Sequence, residues 1–185
     1  MKKTIISLAI ASMALCMTHY TSAQEFVQGT NVINAGFGVG GSFSPGGFGS
    51  PSAGLGLSAS YERGIWEVGG PGVISLGGYL GTTRYSGNTG FNNEKFRWRY
   101  YIIGARGAYH FNGLNVENLD VYGGAMLSLN IASFNDDDGL IDNIDTFPSG
   151  SVFVGGRWYF TQNFGVFAEA GYGVSFLTLG ASFRF

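Results

Sequence analysis

Charge is scarce in this chain. Asp, Glu, Lys and Arg make up 12% of its 185 residues, well short of the roughly one-quarter that a soluble surface carries. An excess of basic residues is also absent. Ten Lys and Arg stand against twelve Asp and Glu, for a formal net charge of −2, which excludes a nucleic-acid surface. The only cysteine is Cys16, so no internal disulfide can hold the fold. Beyond the N-terminus no apolar run approaches the 18 or so residues of a spanning helix. Histidine is confined to His19 and His110.

The N-terminus is read separately. Lys2 and Lys3 precede an apolar run from Ile5 to about Leu15, and Thr21-Ser22-Ala23 follows. A basic start, a short apolar core and small residues predict a secretory signal peptide over residues 1–23. Leu15 occupies the place of the small residue that would precede a lipid-modified Cys16, which argues against a lipoprotein. Cleavage after Ala23 removes Cys16 and His19 and moves the net charge to −4. Residues 24–185 suit one domain.

Glycine and aromatic residues are plentiful: 32 Gly, and 16% Phe, Trp and Tyr. Gly alternates with large apolar residues, which is the period of a strand and not of a linker. Eight segments show it: about Asn31–Gly40, Ala53–Arg63, Val73–Thr83, Phe96–Phe111, Leu119–Ile131, Ser151–Phe160, Phe164–Val174 and Thr178–Phe185. In the fourth, Tyr101, Ile103, Ala105, Tyr109 and Phe111 share one face, and Gly104, Arg106, Ala108 and His110 share the other. In the last, Leu179, Ala181, Phe183 and Phe185 alternate with Thr178, Gly180, Ser182 and Arg184.

Segments of about ten residues suit tilted bilayer crossings, and an even number lets antiparallel neighbours close into a barrel. The predicted fold is therefore all-β, an eight-stranded antiparallel up-and-down transmembrane barrel over residues 24–185. The connectors Gly41–Ser52, Arg84–Lys95 and Ala132–Gly150 are long and polar, as external loops are. Gly64–Gly72 is long for a periplasmic turn, and the connector near Ser175 is short for an external loop. At the inner ends of strands two, four, six and eight, Tyr61, Tyr109, Phe111, Trp158, Phe160, Phe183 and Phe185 form an aromatic girdle. The opposite reading, a soluble lipocalin-like barrel with its apolar face inward, would leave an outer surface of Gly and Ser with few charges.

The polar face carries Glu62, Arg106, His110, Asp120, Arg157, Glu169 and Arg184. Eight-stranded barrels are filled by side chains, and buried charges demand partners. Glu62, Arg106, Asp120, Arg157 and Glu169 are predicted to form a structural charge network in the lumen, with a gated ion path as the alternative. Inward Tyr100, Tyr122, Tyr159 and Phe167 oppose an open pore. Gly36-Phe37-Gly38-Val39-Gly40 lacks the strand–turn–helix of a nucleotide loop; these glycines make room for inward rings. The acidic stretch from Asn135 to Asp145 offers Asp136, Asp138, Asp142 and Asp145 as a weak cation-ligand set, but Phe134 stands where the first ligand belongs. No cofactor is called for. No nucleophile–base spacing appears either, so the chain is read as not an enzyme.

The C-terminal spacing Thr178-x-Gly180-x-x-Phe183-x-Phe185 resembles the assembly signal of bacterial outer-membrane barrels. Residues 104–111 (GARGAYHF) and 164–173 (FGVFAEAGYG) resemble segments of the outer-membrane barrel-domain family, of the OmpA/OmpX type. The resemblance implies a bacterial outer-membrane location. It implies membrane lipids and lipopolysaccharide as surroundings, and the β-barrel assembly machinery as a partner. No peptidoglycan-binding domain is expected, as the chain ends with strand eight. Outer-membrane enzymes of this kind use a His near the outer rim, whereas His110 falls at the periplasmic end. The expected function is a structural or surface-interaction barrel that meets an extracellular partner through its loops; the alternative is a narrow pore or a conduit for hydrophobic molecules.

Overall fold

The computed structural model describes residues 26–41, 52–53, 55–88, 95–134 and 144–185. The alternation seen in sequence becomes eight antiparallel strands: β1 (Asn31–Val39), β2 (Gly56–Glu67), β3 (Gly72–Asn88), β4 (Lys95–Phe111), β5 (Leu119–Phe134), β6 (Ile144–Tyr159), β7 (Phe164–Tyr172) and β8 (Leu177–Arg184). Each pairs with the next, and β8 pairs back onto β1 in the register Ala35↔Ala181, which closes the ring. The predicted up-and-down barrel is the observed one. At the seam Asn31 and Phe185 exchange backbone hydrogen bonds of 3.1 and 3.0 Å, so the last residue belongs to the wall. Among the described residues the only helical element is a 3-10 turn, Asn112–Leu114, between β4 and β5.

The wall separates two environments residue by residue. Outward, Leu57, Leu80, Ile103, Leu127, Leu129, Val152, Val154 and Val166 are exposed. Inward, Asn34, Glu62, Ser75, Arg106, His110, Asp120, Asn130, Arg157 and Ser182 are buried. An apolar exterior around a polar, filled interior is stable in lipid and not in water, which rules out the lipocalin-like arrangement. A continuous row of the girdle runs Tyr61↔Ile33↔Phe183↔Phe164 across four strands, and the Phe164 and Phe183 rings lie 4.8 Å apart.

Several strand limits differ from those read in sequence. β2 runs on to Glu67 because a bulge between Gly64 and Trp66 inserts Ile65 and flips the alternation. Outward positions are odd up to Arg63, yet Trp66 is exposed. The long periplasmic connector Gly64–Gly72 thus shrinks to residues 68–71. At its other end β2 begins at Gly56, with Ser52–Ala53 as a separate two-residue strand beside β3. β3 continues to Asn88, β4 starts at Lys95, β5 reaches Phe134 and β6 starts at Ile144. Parts of the predicted loops Arg84–Lys95 and Ala132–Gly150 are therefore strand. Polar outward positions end the apolar alternation but not the hydrogen-bond ladder.

The result is an uneven wall. β3 and β4 are 17 residues long and β5 and β6 are 16, whereas β1, β7 and β8 have 9, 9 and 8. Seven extra residues add roughly 20 Å of strand. The excess is mostly at the end remote from the aromatic girdle, where it raises one side of the rim.

Candidate functional site

The lower interior is organised around two arginines. Arg157, on β6, donates through Nη1 to Asp120 Oδ2 at 2.7 Å, through Nη2 to Glu62 Oε1, and through Nε to Asn34 Oδ1 at 3.2 Å. Its guanidinium lies 4.1 Å from the centre of the Tyr122 ring. Arg106, on β4, donates through Nη2 to Glu169 Oε1 at 2.7 Å and lies 3.5 Å from Glu62 Oε1. Its own guanidinium sits over the Phe153 ring. Glu169 also accepts from Tyr122 Oη at 2.8 Å.

His110 completes the group. Its Nδ1 is 2.8 Å from Asp120 Oδ1 and its Nε2 is 2.9 Å from Ser75 Oγ, which in turn donates to Glu62 Oε2 at 3.1 Å. Three carboxylates thus face two guanidiniums and one imidazole, a set that balances when both ring nitrogens carry protons. Asn34 donates to Ser60 and Glu62, and Ser182 donates to Asn34 at 2.7 Å. All eight strands contribute a side chain: Asn34, Glu62, Ser75, Arg106, Asp120, Arg157, Glu169 and Ser182. Such a network can assemble in only one register of the barrel.

Phe26 seals this end. It is 1% exposed and stacks on the His110 ring with centroids 3.6 Å apart and planes 6° apart. Val32 and Val73 pack with it, and its carbonyl accepts from Asn112 Nδ2 at 2.9 Å. Above the network, Tyr100, Ile102 and Ala132 form an apolar cluster with Tyr79, Phe147 and Val174. Cavities of about 10 and 40 Å³ adjoin this level, room for a water or so. Gly36 and Gly180 face each other beneath the Phe167 ring. A Cβ on Gly180 would meet the Ala35 carbonyl oxygen and Gly36 Cα first and then Phe167 Cε1 at 2.6 Å, so these glycines let β1 and β8 approach closely beneath the ring.

No protein-family model and no curated protein matches the sequence. Solved structures do match the fold. Ail, the attachment invasion locus protein of Yersinia pestis, crystallised with the heparin analogue sucrose octasulfate, shares 16% identity at a TM-score of 0.52, over 86% of this chain and 100% of its own. The N-terminal β-barrel domain of Pseudomonas aeruginosa OprF shares 17% at a TM-score of 0.50, over 85% of this chain and 98% of that domain. Closure, strand number and an apolar exterior agree with this likeness. The chain has the fold of the small eight-stranded outer-membrane barrels. Within such a barrel the network lies in the lumen and the aromatic girdle marks one membrane interface.

The structure brings Glu62, Arg106, Asp120, Arg157 and Glu169 together. Thr178 is buried on the lumen side, Gly180 lies against Phe167, and Phe183 and Phe185 point outward. Of the acidic set, Asp145 sits in β6 opposite Ala132; Asp136, Asp138 and Asp142, like residues 1–23, lie outside the described residues. Among the described residues no group of three or more His, Cys, Asp or Glu is arranged to hold a metal. Sequence reasoning left His110 outside the network and missed Phe26, Asn34, Ser75 and Ser182. Asn34, Ser75 and Ser182 were legible only as polar members of the inward face. Phe26 precedes the first strand and carries no periodic signal.

Proposed function

We propose that this chain, freed of residues 1–23 on export, is an integral outer-membrane barrel. It acts as a non-catalytic scaffold and presents its extracellular loops to a surface partner. The observation that carries this reading is a lumen closed at two levels. The ionic network and Phe26 fill the periplasmic half, and the Tyr100–Ile102–Ala132 cluster occupies the level above. With the lumen filled at both levels among the described residues, the surface left for contacts is the rim, which β3 to β6 raise on one side. Loops on a rigid scaffold are where binding resides. His110 is fully buried and bonded on both nitrogens, so it is not placed as a base for substrate. In this reading Thr178, Gly180, Phe183 and Phe185 form the signal read by the assembly machinery.

Gel mobility of unboiled and boiled protein, followed by planar-bilayer recording of the refolded barrel, tests the proposal. A fast unboiled band that slows on boiling, without discrete conductance, is the expected result. Steady single-channel currents from the heat-modifiable species would replace the scaffold by the narrow-pore reading.

A further inference from the structure

Residues 26–30 lie outside the strand ladder and form a strap across the girdle end of the lumen. Thr30 closes a turn on Val27, with Thr30 N–H donating to Val27 O and Val27 N–H to Thr30 Oγ1, both at 3.1 Å. Gly29, at φ +90°, anchors that turn to β2. Its N–H donates to Gly64 O, and Gly64 N–H donates to Thr30 O, each at 2.9 Å. Gly64 leaves room for the strap, since a Cβ there would lie 2.5 Å from Val27 O and 3.2 Å from Phe26 Cε1. Beyond the turn the tip is held lightly. Asn112 Nδ2 donates to the Phe26 carbonyl at 2.9 Å, and the Phe26 ring covers Val32, Val73 and the face of His110.

The hydrogen bonds beneath that ring fix the protons on His110. Ser75 has one hydroxyl proton, which goes to Glu62 Oε2 at 3.1 Å, with Ala108 O at 3.4 Å as a second acceptor. The 2.9 Å bond between Ser75 Oγ and Nε2 is therefore donated by the ring. Nδ1 faces Asp120 Oδ1 at 2.8 Å, and Asp120, paired with Arg157 at 2.7 Å through its other oxygen, accepts. Both ring nitrogens thus carry protons, and an imidazolium lies flat under a phenyl ring, an arrangement that the ring's quadrupole favours. Glu62 Oε2 is 3.5 Å from Nε2, and the Tyr122 ring is tilted 5.3 Å away. Arg106 and Arg157 are engaged with Glu62, Glu169 and Asp120. Without the second proton, one ring nitrogen turns a lone pair toward Asp120, or Ser75 turns to the ring and leaves Glu62 Oε2 without its bond. Neither loss is repaired in a dry seat, whereas water repairs both once Phe26 lifts.

We propose that Phe26 and His110 form a proton-operated latch on the girdle end of the lumen. While His110 carries its second proton, the tip of the strap stays seated and the network is dry. Loss of that proton releases Phe26, which swings about the turn at Gly29 and admits water. The seated form binds one proton more than the released form, so rising pH opens the latch and falling pH closes it. The cluster around Tyr100 and Ile102 lies above the network and stays in place, so release opens a pocket at one end and not a channel. The latch is independent of what the loops contact.

Residues 24–185 contain no cysteine and one histidine, so a single introduced thiol and the His110 ring each report alone. Val73 is 3% exposed and lies in the seat under Phe26. The test is maleimide labelling of V73C in the refolded barrel, from about pH 6 to about pH 10. Each rate is divided by that of F26A/V73C at the same pH, which has no ring over the thiol and cancels the thiol's own titration. Near neutral pH the labelling is expected to be slower by about tenfold or more. The ratio should climb toward one at the alkaline end and fall again when the pH is lowered. H110Q/V73C cannot hold the charge, and its ratio should not change with pH. The proton resonances of the His110 ring in the unmodified barrel should titrate with the same midpoint as the opening, a comparison that needs no change at His110. Heat-modifiable mobility at each pH separates an opened latch from a lost barrel. A ratio that stays low throughout in a folded barrel would overturn the proposal. So would a ratio near one throughout, which would mean that Phe26 does not cover the seat. A rise that persists in folded H110Q/V73C, or a His110 midpoint unlike that of the opening, would assign the movement to another group such as Tyr122 and overturn the latch.

Discussion

Below the midplane the interior of this barrel is ionic, and each of the eight strands supplies a polar side chain to one connected group. Above it, on the raised side, the inward face is apolar around Tyr100 and Ile102, while the outward face turns basic at Arg84 and Arg99. The lower half is constrained from every direction: Arg157 alone touches groups on β1, β2 and β5. The raised hairpins are held by their own ladders and by few neighbours, since β1, β7 and β8 stop short. Constraint is thus concentrated in the lower interior, and the raised hairpins are the less constrained part of the wall.

The sharpest way to break the lower half is Arg157→Met. Arg157 is 0% exposed, and its loss leaves Glu62 and Asp120 facing each other without their shared cation. A cost of about 3–5 kcal/mol follows, to be read as a lowered urea midpoint of the gel-shifted form. Arg106→Met should cost less, about 2 kcal/mol, because Glu169 keeps its bond from Tyr122. Thermal unfolding in detergent ranks the two, and an Arg106 variant equal to wild type would remove it from the network's stabilising members. Gly180→Val overpacks the seam, where its Cβ would meet the Ala35 carbonyl oxygen and Gly36 Cα before the Phe167 ring, and should cost about 1–3 kcal/mol. Little recovery is expected on adding Phe167→Leu, and a full recovery would place the obstacle in the ring instead of the β1 backbone. At the raised end the contrast reverses. Replacing residues 135–143 by a short Gly-Ser turn should change stability by no more than about 0.5 kcal/mol while removing the surface contact borne by that loop, as read by adhesion of cells that display the barrel.

The membrane-spanning part of each strand was legible because each face of a barrel strand meets a different solvent, and a period of two records that difference locally. Leu127 and Leu129 outward, with Ser128 and Asn130 inward, needed no partner to be read. Legibility failed where the local record was interrupted. The bulge at Ile65 shifted the outward positions from odd to even and hid the last turn of β2's path. On β3 the positions above Thr83 looked like loop, although the backbone ladder continues to Asn88 opposite Lys95; their β4 partners from Phe96 onward were already legible as strand. In the lumen the charged members were visible as a set, because an inward charge must be paired somewhere, but the pairing itself was not.

The sequence by itself determined the architecture, the facing of most wall residues and the depth of the aromatic girdle, because each follows from alternation within one strand. Only the tertiary structure decided that Arg157 bridges Glu62 and Asp120, that Phe26 folds back onto His110, and that Arg84 stands opposite Arg99. Those contacts join residues far apart in the chain, and they depend on the register in which eight strands close, a quantity that no single strand encodes.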